Sequence, residues 1–450
     1  MRRRGLLGLS VVAVAVAVLL FGGVFSGSHA PDPLESAIAA ARTTRLQEDA
    51  LSRLVAGLST GNTAAYVRKL ERRVERDPSN GDALTLLGLA YQQRGRETGD
   101  PTFYTLSERA LRRARAAGGR EAVITEGEAA LANTRHRFRL GLELARRAIA
   151  LDPDSGSALG ALGDALLNLG RYREAFRVYD RMALRAPGIA SYTRVANARE
   201  LLGRPGAAAQ ADRAALEIDH AVPEHVAWTM VQLGNASFNR GNLRSAEHAY
   251  RRALARYPGY VHAEAGLARV EAAEGRLEHA IVRLGRAVDV LPAPAYVILL
   301  GDVLRASGRK QAARREYALV STIERLFAAN GVRTELQTAL FDLDHRRDIR
   351  AALARALRAY RAAPGIYAED ALAWGLYRTG SCAAARRHSA HALRLGTRDA
   401  LMNFHRAMIE RCLESPTARS WFRRALAINP HFSLLWAPVA RQALAGRGST

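Results

Sequence analysis

The chain is poor in several residue types, and each shortage removes a class of protein. Two cysteines in 450 residues leave no room for a disulfide-stapled scaffold or a cysteine-rich zinc fold. Aromatics make up 6%, and runs of Val, Ile, Thr and aromatics are few beyond residue 25, which argues against a sheet-built core. Lysine is nearly missing: Lys69 and Lys310 are the only two. No glycine-rich phosphate loop, nucleophile elbow or kinase signature occurs. Alanine, leucine, arginine and glutamate dominate instead, which is helix-forming material. With 48% hydrophobic and 24% charged residues the chain is not of the disordered class. Its length exceeds one compact core, so it forms two or three domains or one long array. An all-α protein is expected.

The formal net charge is +23, nearly all of it arginine. A basic face could engage nucleic acid or anionic lipid. A GC-rich genome would raise arginine and alanine together. The placement of the arginines decides between these.

The N-terminus reads "MRRRGLLGLSVVAVAVAVLLFGGVFSGSHAPDP". Three arginines precede an uncharged, mostly apolar run over residues 5–25, long enough at 1.5 Å per residue to cross a bilayer core of roughly 30 Å. The arginines should stay in the cytoplasm, so the body lies outside. The alternative is a cleaved signal peptide, with small-x-small sequences at Ser28-His29-Ala30 and Ser26-Gly27-Ser28. Pro31 disfavours the first of these, and the length of the run favours an anchor. Either way the body is exported.

Beyond the first 60 residues the chain repeats itself. "LGDALLNLGRYREAFRVYDRMA" (162–183) and "LGNASFNRGNLRSAEHAYRRAL" (233–254) share Gly163 with Gly234, Gly170 with Gly241, Ala175 with Ala246 and Tyr179 with Tyr250. Two further units carry Gly275, Ala280 and Ala287, then Gly301, Gly308, Ala313 and Tyr317. Prolines close the units: Pro153 to Pro187 and Pro258 to Pro292 each span 34 residues. Such a period means stacked supersecondary units, because a single helical hairpin cannot bury its apolar face alone. The second glycine suits the tight turn between two helices. Gly163 and Ala175 are expected to face each other where the helices cross, with Tyr179 and Tyr250 filling the gap to the next unit.

This skeleton resembles the tetratricopeptide repeat family, of the bacterial type with an N-terminal signal or anchor segment. The resemblance covers most of residues 62–446. It implies an all-α, right-handed α-solenoid of about ten helix-turn-helix repeats, starting near Gly81, Val123, Gly156, Ala190, Ala227, Val261, Pro294, Arg333, Ile366 and Ala400. Residues 1–30 are the signal or anchor, 31–80 N-terminal helices and a partial repeat, and 81–220, 221–332 and 333–450 the three parts of the array. An insertion, "ETGDPTF", falls at the first turn. His136 stands where the second turn needs glycine. Residues 321–332 lengthen one second helix, and a helix over 433–444 caps the stack.

In that family the first helix of each unit lines a concave groove for a peptide or partner helix. The residues the resemblance places there include Asn197, Asn235, Asn239 and Phe238, then Arg269, Arg305, Trp374 and Arg378. Asn197 and Asn235 could pair with a ligand backbone, donating and accepting at once; solvation of the groove is the plainer role. Gln92, Asp164, Trp228 and Tyr367 fall on the same face, and about half of the C-terminal aromatics should be core. The arginine pairs Arg112–Arg113, Arg146–Arg147, Arg251–Arg252 and Arg423–Arg424 fall instead on the outer face of second helices. That leaves no basic groove or aromatic-basic platform for nucleic acid, so no specific nucleic-acid partner is expected, and it permits contact with anionic lipid or an envelope polymer.

No catalytic residue, metal or cofactor is implied. His388 and His391 could reach one ion, but no third ligand is evident. Asp342, Asp344 and His345 read as polar turn residues rather than an acid–base pair. Cys382 and Cys412 fall at the same end of neighbouring hairpins, and a disulfide and two buried thiols are equally open. The function expected is a protein-interaction scaffold, exported, with its protein partner unknown and the membrane engaged through the N-terminal segment.

Overall fold

In the computed structural model the described residues are 58, 61–218 and 222–446. The expected anchor over 1–30 lies outside them. Among the described residues there are only helices and the turns between them, and none of the helices is long and apolar enough to cross a membrane.

A leading helix, α1 (Thr63–Arg76), is followed by ten helical hairpins. These are α2–α3 (Gly81–Thr98, Thr102–Ala116), α4–α5 (Glu121–Thr134, Phe138–Leu151) and α6–α7 (Gly156–Asn168, Tyr172–Arg185). Next come α8–α9 (Ile189–Leu201, Pro205–Ile218), α10–α11 (Pro223–Asn239, Leu243–Arg256) and α12–α13 (Val261–Ala273, Leu277–Val290). The last four are α14–α15 (Pro294–Ala306, Lys310–Ala329), α16–α17 (Glu335–Asp344, Ile349–Ala362), α18–α19 (Ile366–Arg378, Cys382–Ala392) and α20–α21 (Ala400–Cys412, Ala418–Ile428). A closing helix, α22 (Trp436–Leu444), packs on α21.

The turns follow from their residues. Gly170, Gly241 and Gly275 have φ of +75°, +75° and +82°, a region where a Cβ would crowd the backbone. At Gly241 the reversal is closed by Gly241 N–H donating to Phe238 O at 2.8 Å and Asn242 N–H to Ser237 O at 2.9 Å, and the Asn242 side chain then caps α11. His136, Arg346 and Glu414 adopt the same left-handed conformation without being glycine, at φ 56°, 57° and 52°, each at a cost of about 1 kcal/mol.

The packing inside a hairpin differs from the expectation in one respect. Gly163 meets Tyr179 rather than Ala175: a Cβ there would come within 2.3 Å of the Tyr179 ring. Gly234 meets Tyr250 and Gly301 meets Tyr317 in the same way, and the Tyr250 ring also lies against Gly266 of the following hairpin. The glycine is therefore a slot for an aromatic ring, and that ring joins two units. Ala175, Ala246 and Ala313 are buried on the same second helices as these rings, and Ala280 is buried in a hairpin that has Leu284 in place of the tyrosine.

The first helices of successive hairpins pack directly on one another: α2 on α4, α4 on α6, α10 on α12, α18 on α20. They form the inner layer of the curve, and the second helices the outer one. The curve is tight enough for the array to return on itself. Tyr172 of α7 accepts from the Ile366 N–H at 2.7 Å, 194 residues away. Thr397 donates to Leu201 O at 2.6 Å, and Asn429 to Phe238 O at 2.8 Å. The third hairpin thus meets the start of the ninth, and the fourth meets the start of the tenth. The result is a seam along which one superhelical turn rests on the next.

Candidate binding surfaces

The polar position after the skeleton glycine is used internally. Asp164 accepts from Tyr179 Oη at 2.9 Å, Asn235 from Tyr250 Oη at 2.8 Å, and Asp302 from Tyr317 Oη at 2.7 Å. In each case the donor is the ring that fills the glycine slot. One lone pair of the Asn235 oxygen is thus used by its own hairpin, which leaves its amide fewer free positions than that of Asn197. Asp164 is further held by Arg194 through bonds of 2.9 and 2.7 Å. Asn197 differs. Its hairpin has Asp212 where Tyr179 and Tyr250 stand in theirs. Asn197 is exposed, and no protein group among the described residues bonds its amide.

Asp212 is buried at 4% exposure. Burial raises its pKa from 3.8 to about 7, with the nearby Glu200 adding to the rise.

Phe238, Asn239 and Arg269 come together. Phe238 is buried, the Arg269 guanidinium lies 3.8 Å from its ring centroid, and Arg269 reaches Asn239 Oδ1 at 3.5 Å. Phe238 is therefore a stacking platform for Arg269 and not itself a contact surface. Arg305 is exposed on α14. Trp374 is fully buried and its indole N–H donates to Asp344 at 2.9 Å, while Trp436 donates to the same oxygen at 3.0 Å. Arg378 lies 5.4 Å from the Trp374 ring and 5.9 Å from that of Trp436. Trp374 belongs to the core that closes the C-terminal end, together with Phe404, Phe422 and α22. Gln92 is buried as well, donating to Gly127 O and Ser107 Oγ. The inner layer keeps Trp228 at 42% and Tyr367 at 49% exposure.

The polar clusters noted in the sequence have structural duties. Asp342 pairs with Arg347 and Arg355. His345 bonds Asp302 at 2.7 Å. His388 and His391 sit on the two oxygens of Glu369, at 2.8 and 2.6 Å. His405 is fully buried, stacked 4.2 Å from Trp374, with Nδ1 on Asp370 at 2.8 Å. Burial works against protonation of His405, but the charge and hydrogen bond of Asp370 outweigh it and its pKa rises. A disulfide joins Cys382 to Cys412, with Cα atoms 6.3 Å apart. All eight arginines of the expected outer pairs are exposed.

Residues 124–189 and 231–291 match the sequence profile of the tetratricopeptide repeat. Tetratricopeptide repeats are present in this chain. They cover the second and third hairpins and most of the fifth and sixth. No curated protein matches the chain in sequence. Among solved structures, a chain of the APC/C hetero-tetramer Cut9-Hcn1 is similar at 12% identity over 96% of this chain and 99% of that one, with a TM-score of 0.37. The human IFIT1 dimer with PPP-AAAA is similar at 12% identity, covering 88% and 93%, with a TM-score of 0.43. YrrB, described as a TPR protein with an unusual peptide-binding site, is similar at 19% identity over 42% of this chain and 92% of that one, at 0.29.

Proposed function

We propose that the chain is a non-catalytic scaffold that holds a protein partner on the inner layer of its solenoid, in an exported compartment. The observation that carries this is the division of labour along the inner helices. Most polar groups there are bonded inside the array, as Asn235 is to Tyr250. Asn197 is exposed with no bonding partner among the described residues, and Trp228, Arg305 and Tyr367 are exposed on the same layer. Repeat arrays present their binding surface on this curved layer. Export is supported by Arg2, Arg3 and Arg4 ahead of the apolar run and by the Cys382–Cys412 bridge, a feature of oxidising compartments.

The test is site-specific photo-crosslinking in the native cell from position 197, compared with position 252 on the outer face. The proposal expects a discrete protein adduct from 197 and none from 252. Adducts from 252 alone would reject it. A second reading is favoured by the eight exposed outer arginines: contact with anionic lipid or an envelope polymer. Such contact weakens steeply with salt, so liposome binding that disappears with salt while the adduct from 197 persists separates the two.

A further inference from the structure

The seam is not closed along its whole length. Where the second hairpin faces the eighth, the two superhelical turns touch at a few points and leave an open space between them. Two local departures from the regular repeat lie here. The helix α15 runs for 20 residues where α13 has 14, and α16 is cut to 10. The opposing turn carries His136 in place of glycine. Between them lies an open cleft of about 1050 Å³. One wall is 136–140; the other is made by Glu324 and Ala328 of α15, residues 331–335 and the α17 stretch from Arg355 to Ala362. The walls are tied together by the Arg333 N–H donating to Arg135 O at 3.2 Å, by His136 Nδ1 at 2.5 Å from Arg333 O, and by Arg139 donating to Arg361 O at 3.0 Å.

Six arginines line this cleft, Arg137, Arg139, Arg333, Arg355, Arg358 and Arg361, against two glutamates, Glu324 and Glu335. Arg355 is paired with Asp342. Among the described residues no carboxylate lies in ion-pair contact with the other five, whereas Arg115 takes Glu121 and Glu128, and Arg283 takes Glu264 and Glu271. Unpaired like charges gathered in one concavity repel each other and lower the stability of the folded state. An anionic occupant offsets that repulsion, and the forked guanidinium grips carboxylates with two parallel bonds. The cleft is not purely polar: Phe138, Val332, Ala328 and Ala359 contribute apolar surface, and Leu140 is 42% exposed at its edge. Its volume is at the upper end of small-molecule sites, so it suits a short peptide better than a single small anion. A second copy of the chain, at +23, has the wrong sign to fill it.

We propose that the cleft docks an acidic peptide segment of the partner, with carboxylates interspersed among apolar residues, and so grips that partner across two superhelical turns. This rests on the scaffold reading given above and adds a second contact, away from the inner layer.

The experiment uses the full chain and a fluorescent peptide of alternating Glu and Leu, with a Gln/Leu peptide and tripolyphosphate beside it. Saturable binding of the Glu peptide at low salt is expected, with none of the Gln peptide. The triple variant Arg333→Ala, Arg358→Ala, Arg361→Ala removes three exposed side chains and should weaken binding roughly tenfold or more without lowering the melting temperature, since relief of their mutual repulsion can only raise it. The outer-face variant Arg112→Ala, Arg113→Ala, Arg146→Ala removes the same charge and should leave binding within about threefold. Charge reversal by Arg358→Glu and Arg361→Glu should favour a Lys/Leu peptide over the Glu peptide. Absence of saturable binding, equal loss in both triple variants, or tighter binding of tripolyphosphate than of the Glu peptide would overturn the assignment. If the position-197 adduct persists while the peptide fails to bind, the cleft proposal falls and the scaffold reading stands.

Discussion

Gly203 lies against the backbone of Gly396: a Cβ on Gly203 would come within 2.3 Å of the Gly396 carbonyl oxygen, across 193 residues of chain. Gly275 occupies the same position two hairpins later, and a Cβ there would meet nothing within 4 Å. Both glycines are left-handed, with φ of +68° and +82°, so Gly→Ala costs about 1 kcal/mol at either on local grounds. At Gly203 the second turn of the solenoid adds a clash with backbone, worth about 1–3 kcal/mol more. Gly203→Ala should therefore melt clearly below Gly275→Ala in parallel thermal scans. Equal melting temperatures would mean that the turns do not touch.

The Asp212 carboxyl gives a pH prediction. Its folded pKa is raised to about 7 from 3.8. The folded state therefore holds a proton that the unfolded state has released between those values, and stability contributed by the neutral acid falls as pH rises from 3.8 through about 7. Asp212→Asn, neutral at every pH, should stabilise the chain above pH 7, by up to about 4 kcal/mol if the shift is fully expressed, and be close to neutral near pH 4. Melting temperatures of both proteins across pH 4–8 check this; a stabilisation that does not grow with pH contradicts it.

At the C-terminal end Asp344 accepts from Trp374 and Trp436 at 2.9 and 3.0 Å. Asp344→Leu leaves two indole N–H groups without an acceptor, one of them on the fully buried Trp374. A loss of about 2–5 kcal/mol is expected, read by denaturant titration, with red-shifted tryptophan emission as α22 loosens. An unchanged midpoint would show that α22 does not depend on this bridge.

The Cys382–Cys412 bridge closes a loop with a sequence separation of 30. Reduction, or Cys382→Ser with Cys412→Ser, should lower stability by about 3–4 kcal/mol. Amide exchange should show the loss in α18–α21 first, because stability in a solenoid is carried by neighbouring units. A loss spread evenly over all ten hairpins would contradict this.

The hairpins were legible because their signals are local and periodic. Gly163, Gly170 and Tyr179 recur as Gly234, Gly241 and Tyr250, and they mark slot, turn and ring in one unit after another. The long α15 and the unusual turn at His136 were also visible, as departures from that rhythm. The seam was not. Tyr172 and Ile366, or Gly203 and Gly396, meet only because small rotations between hairpins accumulate over six units, and no single unit encodes the sum. The arginine cleft follows from that sum, so Arg137 and Arg358 could not be joined from sequence. Among the groove residues, the register of the repeat resemblance placed Asn235 and Trp374 on the first helices where they lie, but which polar atom a neighbour takes is set by packing. Asn197 and Asn235 hold equivalent positions, and only the Asp212-for-Tyr exchange fifteen residues on separates them.

The most direct test of the wound solenoid is a distance between spin labels at positions 204 and 398, both exposed and flanking the Gly203–Gly396 contact. Pulsed dipolar spectroscopy on the full chain should give a short, narrow distribution set by the label tethers alone. An array that does not close on itself would separate these positions by about 10 Å for each intervening helix layer, and a long or broad distribution would contradict the account.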